Sequence, residues 1–360
     1  MGWNINGISS MQFSFTNRQH VARVTEQLQT AGQELSTGRK ADLFAELGPR
    51  ASVALTLRAR EENTQAYMSM NEVLDSKLEV MLASVDSMRG GAEDVFQNAL
   101  INAARPAMGA AALQSEARAA LESTIGLLNI SYNGDYLFSG TASDQAPLTR
   151  WDDANSTTGL SPEEVLSDIV GTGPSTMAEA EAMIDQIDAF FASTNTADPD
   201  RNFEATFFNG TPLLDGSDDP NTRVTARISD GQQLEYGVQA NDEAFRDTIK
   251  GLAMLSVIDV DQIDDDATYA RWMEAVNDAL GQGVEGGVAT STRIGFNLQV
   301  VANAQAQLED ISLVQQTQIG NYENVDPYEA ATMVSSLETQ LQASYSVTAR
   351  LSQLSLLNFL

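Results

Sequence analysis

The chain has 360 residues, 42% hydrophobic and 19% charged, enough for two or three domains of ordinary size. Its 50 acidic and 20 basic residues give a formal net charge of −30. Phosphate backbones and anionic lipid repel such a chain, so no nucleic acid and no membrane insertion are expected. With no cysteine and one histidine, His20, disulfides, thiol catalysis and cysteine-held zinc or iron–sulfur centres are excluded.

The first residues, Met1-Gly2-Trp3-Asn4-Ile5-Asn6-Gly7-Ile8, hold neither a basic stretch nor a long apolar run. A cleaved signal peptide is therefore not expected. No stretch approaches the ~20 apolar residues of a membrane span. Val21, Val24, Leu28, Ala31 and Leu35 follow in steps of three and four. That spacing predicts one helix with a coiled-coil seam, stopped at Gly38. His20, beside Arg18 and just ahead of this seam, reads as a solvated helix residue.

A longer run goes from Val53 through Leu57, Arg60, Thr64, Tyr67, Asn71, Leu74, Leu78, Met81, Val85, Met88, Ala92 and Val95 to Ala99. At ~1.5 Å per residue such a helix is roughly 70 Å long, too long for one globular core, so it should pack on other long helices. Arg60, Thr64 and Asn71 read as polar layers that set register. Met68, Met70, Met81 and Met88 read as adaptable packing residues. Pro106 should end or kink the run, and a third helix is expected over about 110–130.

Residues 141–290 hold six of the nine prolines and 29 acidic against seven basic residues, a net charge of −22. An insert of shorter, solvent-facing elements is expected there. Val224-Thr225-Ala226-Arg227-Ile228 alternates, Asp230-Gly231 supplies a turn, and Leu234-Glu235-Tyr236-Gly237-Val238 alternates back, which predicts a hairpin. Helices are expected near 176–193 and 242–256, making the insert α+β. Asp215-Gly216-Ser217-Asp218-Asp219 reads as a turn, because a calcium loop would need its glycine elsewhere and a glutamate at Ala226. Carboxylate pairs such as Asp152-Asp153 and Glu163-Glu164 arise by chance in so acidic a chain, and a glycosidase needs a set separation in a cleft. Gly281-Gln282-Gly283-Val284-Glu285-Gly286-Gly287 follows no strand pattern, so it reads as a flexible re-entry into the long helices, not a phosphate loop.

Beyond the insert, Ile294, Leu298, Val301, Leu308, Ile311 and Val314 form a further stripe. Asn324-Val325-Asp326-Pro327 breaks it, with Asp326 suited to start the next helix. The last helix carries Val334, Leu337, Leu341, Ser344, Thr348 and Leu351, and the chain ends on Leu354, Leu356, Leu357, Phe359 and Leu360. The expected fold is mainly α, a long antiparallel helical bundle or coiled coil of the N- and C-terminal segments with an inserted smaller α+β domain. The expected division is an axial helix over 1–45, a long-helix rod over 46–140, an outer domain over 141–285, the returning rod over 286–325 and a second axial helix over 326–360. No catalytic, cofactor-binding or metal residue is assigned. The candidate subunit interface is Val21, Val24, Leu28, Ala31, Leu35, Val334, Leu337, Leu341, Leu351, Leu354 and Leu357. Terminal stripes of this kind ask for a partner, either another copy or each other in a closed monomeric bundle.

Three segments carry a resemblance. Leu35-Ser36-Thr37-Gly38-Arg39-Lys40 resembles the motif that closes the first helix of the bacterial flagellin superfamily. Asn133-Gly134-Asp135-Tyr136-Leu137-Phe138-Ser139-Gly140-Thr141 resembles its Asn-Gly-x-Tyr-Leu-Phe-Ser-Gly segment. Leu351-Ser352-Gln353-Leu354-Ser355-Leu356-Leu357-Asn358-Phe359-Leu360 resembles the apolar end of its hook–filament junction branch, hook-associated protein 3. After Lys40 the chain departs from the family's paired aspartates, reading Ala41-Asp42-Leu43-Phe44-Ala45-Glu46-Leu47-Gly48-Pro49. It also lacks any proline after Pro327, unlike filament flagellins with their Asn-x-x-Pro-Gln segment. The resemblance implies an extracellular structural subunit, exported unfolded by the flagellar type III apparatus with a dedicated chaperone and no cleaved signal. It implies a ring of copies between the hook-side junction protein (hook-associated protein 1) and the flagellin filament, with no cofactor. A self-polymerising filament flagellin is the alternative, and a secreted enzyme or binding module carried by the middle domain is a third reading.

Overall fold

The computed structural model describes residues 10–105 and 110–357, apart from the side chains of 10, 11, 13, 14, 111 and 351–357. Pro106, the opening segment 1–8 and the terminal Phe359 and Leu360 lie outside the described residues. The helices are α1 (Ser10–Thr37), α2 (Leu43–Leu47), α3 (Ala51–Ile101), α4 (Ala110–Leu128), α5 (Pro162–Val170), α6 (Met177–Phe191), α7 (Glu243–Ser256), α8 (Asp266–Glu323) and α9 (Pro327–Leu357). Two hairpins, β1 (Ser131–Tyr132) with β2 (Asp135–Tyr136) and β3 (Thr225–Ser229) with β4 (Gln232–Glu235), are antiparallel. The mainly α fold with a small β content is the expected one. The chain divides into two compact units: Met1–Ala66 with Glu309–Leu360, and Tyr67–Leu308. Helices α3 and α8 contribute residues to both.

The unit Tyr67–Leu308 has an apolar core. On α3, Leu74, Leu78, Met81, Val85, Met88, Ala92, Val95 and Ala99 are all buried, as their spacing predicts. Helix α4 packs on α7, with Gln114 Nε2 donating to the Ser256 carbonyl at 3.2 Å, and its Leu113, Ala117 and Leu121 are buried in the core. Ser161 caps α5 through the Glu164 amide ahead of Pro162, and Thr176 caps α6 through the Glu179 amide, each satisfying an otherwise orphan N–H. Phe190, Phe191, Phe203 and Phe207 stack behind α6 with ring centroids 5.0–6.3 Å apart. The β3–β4 hairpin turns through Asp230-Gly231 as predicted, Gly231 holding φ +77°, with a register shift between Arg227 and Ser229. Asn71 ties this hairpin to α3 by donating from Nδ2 to the Ile228 carbonyl at 3.0 Å.

The Asn-Gly-x-Tyr-Leu-Phe-Ser-Gly segment is the other hairpin. Asn133 and Gly134 have φ of 53° and 92°, the two positive values a two-residue hairpin turn demands. Phe138 is buried edge-on against Phe245, 5.9 Å between centroids, and Gly140 at φ +71° comes so close to Gln239 and Thr211 that a Cβ would not fit.

The glycine run does not form a flexible re-entry. It lies inside α8. A Cβ on Gly283 would sit 2.4 Å from Thr248 Oγ1, and one on Gly286 would sit 2.6 Å from Ala244 Cβ. The glycines let α7 approach α8 at backbone distance, a packing demand that outweighs their low helix propensity.

Candidate assembly surface

The unit Met1–Ala66 with Glu309–Leu360 is built differently. Helices α1 and α9 run antiparallel, and Asn17 Nδ2 donates to Thr348 Oγ1 at 2.5 Å. Between them Val24, Ala31 and Leu337 are buried, flanked by the half-buried Leu28, Val334 and Leu341. Burying a Val or Leu side chain contributes about 1.5–3 kcal/mol, so this three-residue core offsets little of the ordering cost of two long helices. Val21 is half-buried and Leu35 is 40% exposed. Leu351, Leu354 and Leu357 fall on α9, but their side chains lie outside the described residues.

Both helices are broken where the sequence places the breaks. Gly38, at φ +68°, donates its N–H to the Glu34 carbonyl and ends α1. Asp326 Oδ1 accepts the Tyr328 N–H at 2.8 Å and starts α9. The breaks are stitched together: the Lys40 N–H donates to the Glu323 carbonyl at 2.8 Å, and the Val325 N–H to the Gly38 carbonyl at 3.0 Å. Downstream, the unusual segment after Lys40 folds as α2, capped by Asp42 Oδ1 accepting from Phe44 and Ala45.

In this unit α3 and α8 meet through polar side chains. Arg58 binds Glu323 through Nε and Nη2, each at 2.5 Å. Glu61 Oε1 accepts from Gln65, Ser312 and Gln316 at 3.0, 2.9 and 2.8 Å. Burial pushes the Glu61 carboxyl up, but these three donors outweigh it and hold it below the usual range. Thr64 Oγ1 is 3.1 Å from Gln315 Oε1.

Several of the apolar residues predicted for this stretch point outward instead, while Leu57 is half-buried. Val53, Ile311 and Val314 are exposed, as is Arg60, while Ala51, Ala54 and Ser312 face inward. Leu55 and Leu313 widen the apolar surface, Leu313 to 65% exposure. The stripe read in steps of three and four holds from Thr64 to Ala99 and leaves the seam only toward the start of α3, where Ala51 and Ala54 take the inward positions. Of the three expected polar layers, Thr64 and Asn71 are buried and bonded; Arg60 is replaced by Arg58 and Glu61. Those residues, with Ser312, Gln315, Gln316 and Glu323, carry no apolar periodicity by which the sequence could have marked them.

Cavities open in and around the acidic middle. One of about 550 Å3 is lined by Asp242, Glu243, Asp247 and Glu285, among others. Two of these acids are paired: Asp242 Oδ1 lies 2.6 Å from Arg223 and Oδ2 3.7 Å from Arg293, and Asp247 is 3.5 Å from Lys250. Another, of about 920 Å3, is bordered by Asn129, Asn155 and Asn209. Their amides bond within the protein, Asn129 to Leu148 and Asn155 to Thr149, Thr206 and Asn209. Asp215 Oδ1 accepts the Ser217 and Asp219 N–H groups at 2.7 and 3.1 Å, which makes that loop a turn. Among the described residues, no group of three or more His, Asp or Glu could hold a metal ion, and no helix is long and apolar enough to cross a membrane.

No curated protein matches the chain. Among solved structures, a chain described as a flagellar hook-associated protein of Vibrio parahaemolyticus is similar in fold, at TM-score 0.52 and 13% identity, over 77% of this chain and 99% of that one. FlgL of Bacillus cereus is 12% identical over 74% of this chain and 98% of its own, at TM-score 0.42. The bacterial flagellin N-terminal helical region matches residues 8–143, and the C-terminal helical region matches 279–360. These two stretches, in the right order, take in more than half of the sequence, and the chain belongs to the bacterial flagellin superfamily.

Proposed function

We propose that this chain is a structural adaptor subunit of the bacterial flagellum, seated outside the cell between hook and filament. The observation that carries the reading is the inverted packing of α3 and α8 in the terminal unit: polar groups inside, Val53, Leu55, Ile311, Leu313 and Val314 outside. Apolar faces of this kind call for neighbouring subunits to cover them. The α1–α9 seam is the second support, because its core is too small to hold two long helices by itself.

On this reading Val21, Val24, Leu28, Ala31, Leu35, Val334, Leu337 and Leu341, with Leu351, Leu354 and Leu357 along the same stripe, make an axial seam against like subunits. Segments 1–45 and 326–360 form the inner tube, 46–140 and 286–325 the rod, and 141–285 the outer domain. The partners are copies of the chain in a ring, hook-associated protein 1 on the hook side, flagellin beyond, and a dedicated chaperone during type III export without a cleaved signal. The role is mechanical and needs no cofactor.

The test is to mix purified protein with filament seeds, and separately with isolated hooks that carry the hook-side junction protein, and to image both. Binding to hook ends without growth of long filaments is expected. Long uniform filaments grown by the protein alone would establish a filament flagellin instead.

A further inference from the structure

The cavity of about 920 Å3 lies wholly within the unit Tyr67–Leu308, between the end of α4 and the loop 145–156. The protein fixes its frame. Asn129 brackets the Leu148 backbone, donating to the carbonyl and accepting the N–H, each at 2.8 Å. Asn155 Oδ1 accepts the Thr157 N–H at 2.8 Å, while Nδ2 donates to the Thr206 carbonyl at 3.0 Å and to Asn209 Oδ1 at 2.8 Å. The Trp151 carbonyl accepts the Glu163 N–H at 3.0 Å, and its ring is braced on Phe207, 6.1 Å between centroids. The asparagines preorganise the cavity, and other groups are left to meet a ligand.

Gly126 is part of the α4 side of the wall. Its backbone is helical, and an added Cβ would meet nothing within 4 Å. Neither a turn nor close packing asks for glycine there, and glycine weakens a helix. What it provides is room in the cavity. Trp151, on the inner wall, is 2% exposed, and its indole N–H has no partner, an unfavourable state that an acceptor relieves. The exposed side chains of Arg150, Asp152 and Asp153 border the same cavity, and none of the three bonds to another described residue.

We propose that this cavity binds a neutral sugar ring, free or at the end of a glycan. Its unpaired groups are of opposite kinds. Arg150 and the Trp151 N–H only donate, and the Asp152 and Asp153 carboxylates only accept; a hydroxyl serves both. A cation leaves the donors unused, and an anion faces Asp152, Asp153 and Glu122 together. The volume is that of a small-molecule site. The residues are not those of the apolar assembly surface, so the site suits an adaptor or a filament subunit alike.

The chain has three tryptophans, so each indole N–H can be followed by nuclear magnetic resonance in the whole protein. Trp151→Phe assigns the Trp151 signal by its loss. Glucose, galactose, mannose and N-acetylglucosamine are each titrated to about 50 mM, with lactose as a glycan end and glucuronate as the charged control. The Trp151 signal alone should move, saturating with a Kd on the order of 1 mM for a neutral sugar. Movement with a monosaccharide shows that a free ring suffices; movement with lactose alone identifies a glycan end. Gly126→Gln, which fills the space beside α4, should weaken binding at least about tenfold and leave urea unfolding unchanged. A Trp151 signal unmoved by every neutral sugar overturns the site. So does movement of all the indoles together, binding by Gly126→Gln equal to the parent's, or glucuronate binding as tightly as glucose. If Trp151→Phe does not fold, calorimetry of the parent against Gly126→Gln is read by the same criteria.

Discussion

The two units of this chain solve opposite problems with the same two helices. In Tyr67–Leu308, α3 and α8 turn Leu74, Leu78, Met81, Val85, Ile294 and Val301 inward, and the core extends through Trp272, Phe245 and the α6 aromatics. In Met1–Ala66 with Glu309–Leu360, they turn Thr64, Ser312 and Glu323 inward beside Ala51 and Ala54, bond the half-buried Arg58 and Glu61 across the seam, and send Val53, Leu55, Ile311, Leu313 and Val314 to the surface. The first arrangement builds a large core within one chain, while Met70, Val73, Val288 and Phe296 of the same helices stay exposed. In the second, directional hydrogen bonds set register while the apolar surface is left for a partner. One unit carries the large core, and on the proposed function the other is half of an interface.

Truncation in the closed core gives the largest break in that contrast. Phe245 is fully buried and meets Phe138 edge-on. Phe245→Ala should cost about 3–5 kcal/mol in urea unfolding followed by near-ultraviolet circular dichroism. Leu337→Ala, in the small α1–α9 core, should leave that transition in place and raise amide exchange in α1 and α9 alone. Equal effects of the two on the main transition would show that the units unfold as one.

Charge in the seam comes next. Leu28→Asp and Leu341→Asp put a carboxylate into a half-buried apolar strip at a cost of about 2–3 kcal/mol. Both variants should keep the closed unit folded and lose incorporation at hook tips. Wild-type attachment by either would remove the seam from the assembly surface.

The contrast also explains which parts of the fold were legible in the sequence. Where the helices bury Leu, Met and Val, steps of three and four recover the seam residue by residue, from Leu74 to Ala99. The breaks at Gly38 and Asp326 and the Asp230-Gly231 turn were equally plain, because their chemistry is local, whereas Asn133-Gly134 entered only as part of a family-like segment and its turn was not read. Polar pairs such as Arg58 with Glu323 are 265 positions apart and have no periodicity, so nothing in the sequence joined them. The glycine run was misread because flexibility is only one use of glycine; the close approach of α7 decides the other, and that needs coordinates.

Glycine gives a smaller test of opposite signs. Gly283 in the closed unit faces Thr248 at clashing distance, while an added Cβ at Gly32 on α1 would meet nothing within 4 Å. Gly283→Ala should destabilise by about 1–3 kcal/mol through overpacking. Gly32→Ala should stabilise α1 by about 0.5–1 kcal/mol, the ordinary gain of alanine in a helix interior, seen as slower exchange at its amides.

Acid should separate the two units by the smallest margin. In the terminal unit the Glu61 carboxyl is held low, because its three hydrogen-bond donors outweigh the upward push of burial. A depressed native pKa adds stability above the ordinary glutamate range, and that contribution is lost as pH falls through the native value. In the closed unit Asp247 is raised, first by burial and also by Glu243, against the pull of Lys250 and Arg246. A raised native pKa gives the opposite sign: its contribution is present below the ordinary aspartate range and is lost as pH rises through the native value. Lowering the pH through the carboxylate range therefore weakens the Glu61 layer while favouring the protonated Asp247 site. Amide exchange followed from pH 6 to pH 3 should show the α3–α8 turns around Thr64 and Gln315 loosening with acid. Glu61→Gln should flatten that dependence and leave the closed unit's unchanged, and Asp247→Asn should do the reverse. If both substitutions shift the same amides, the polar seam and the closed core share one cooperative unit, and their contrast lies in composition alone.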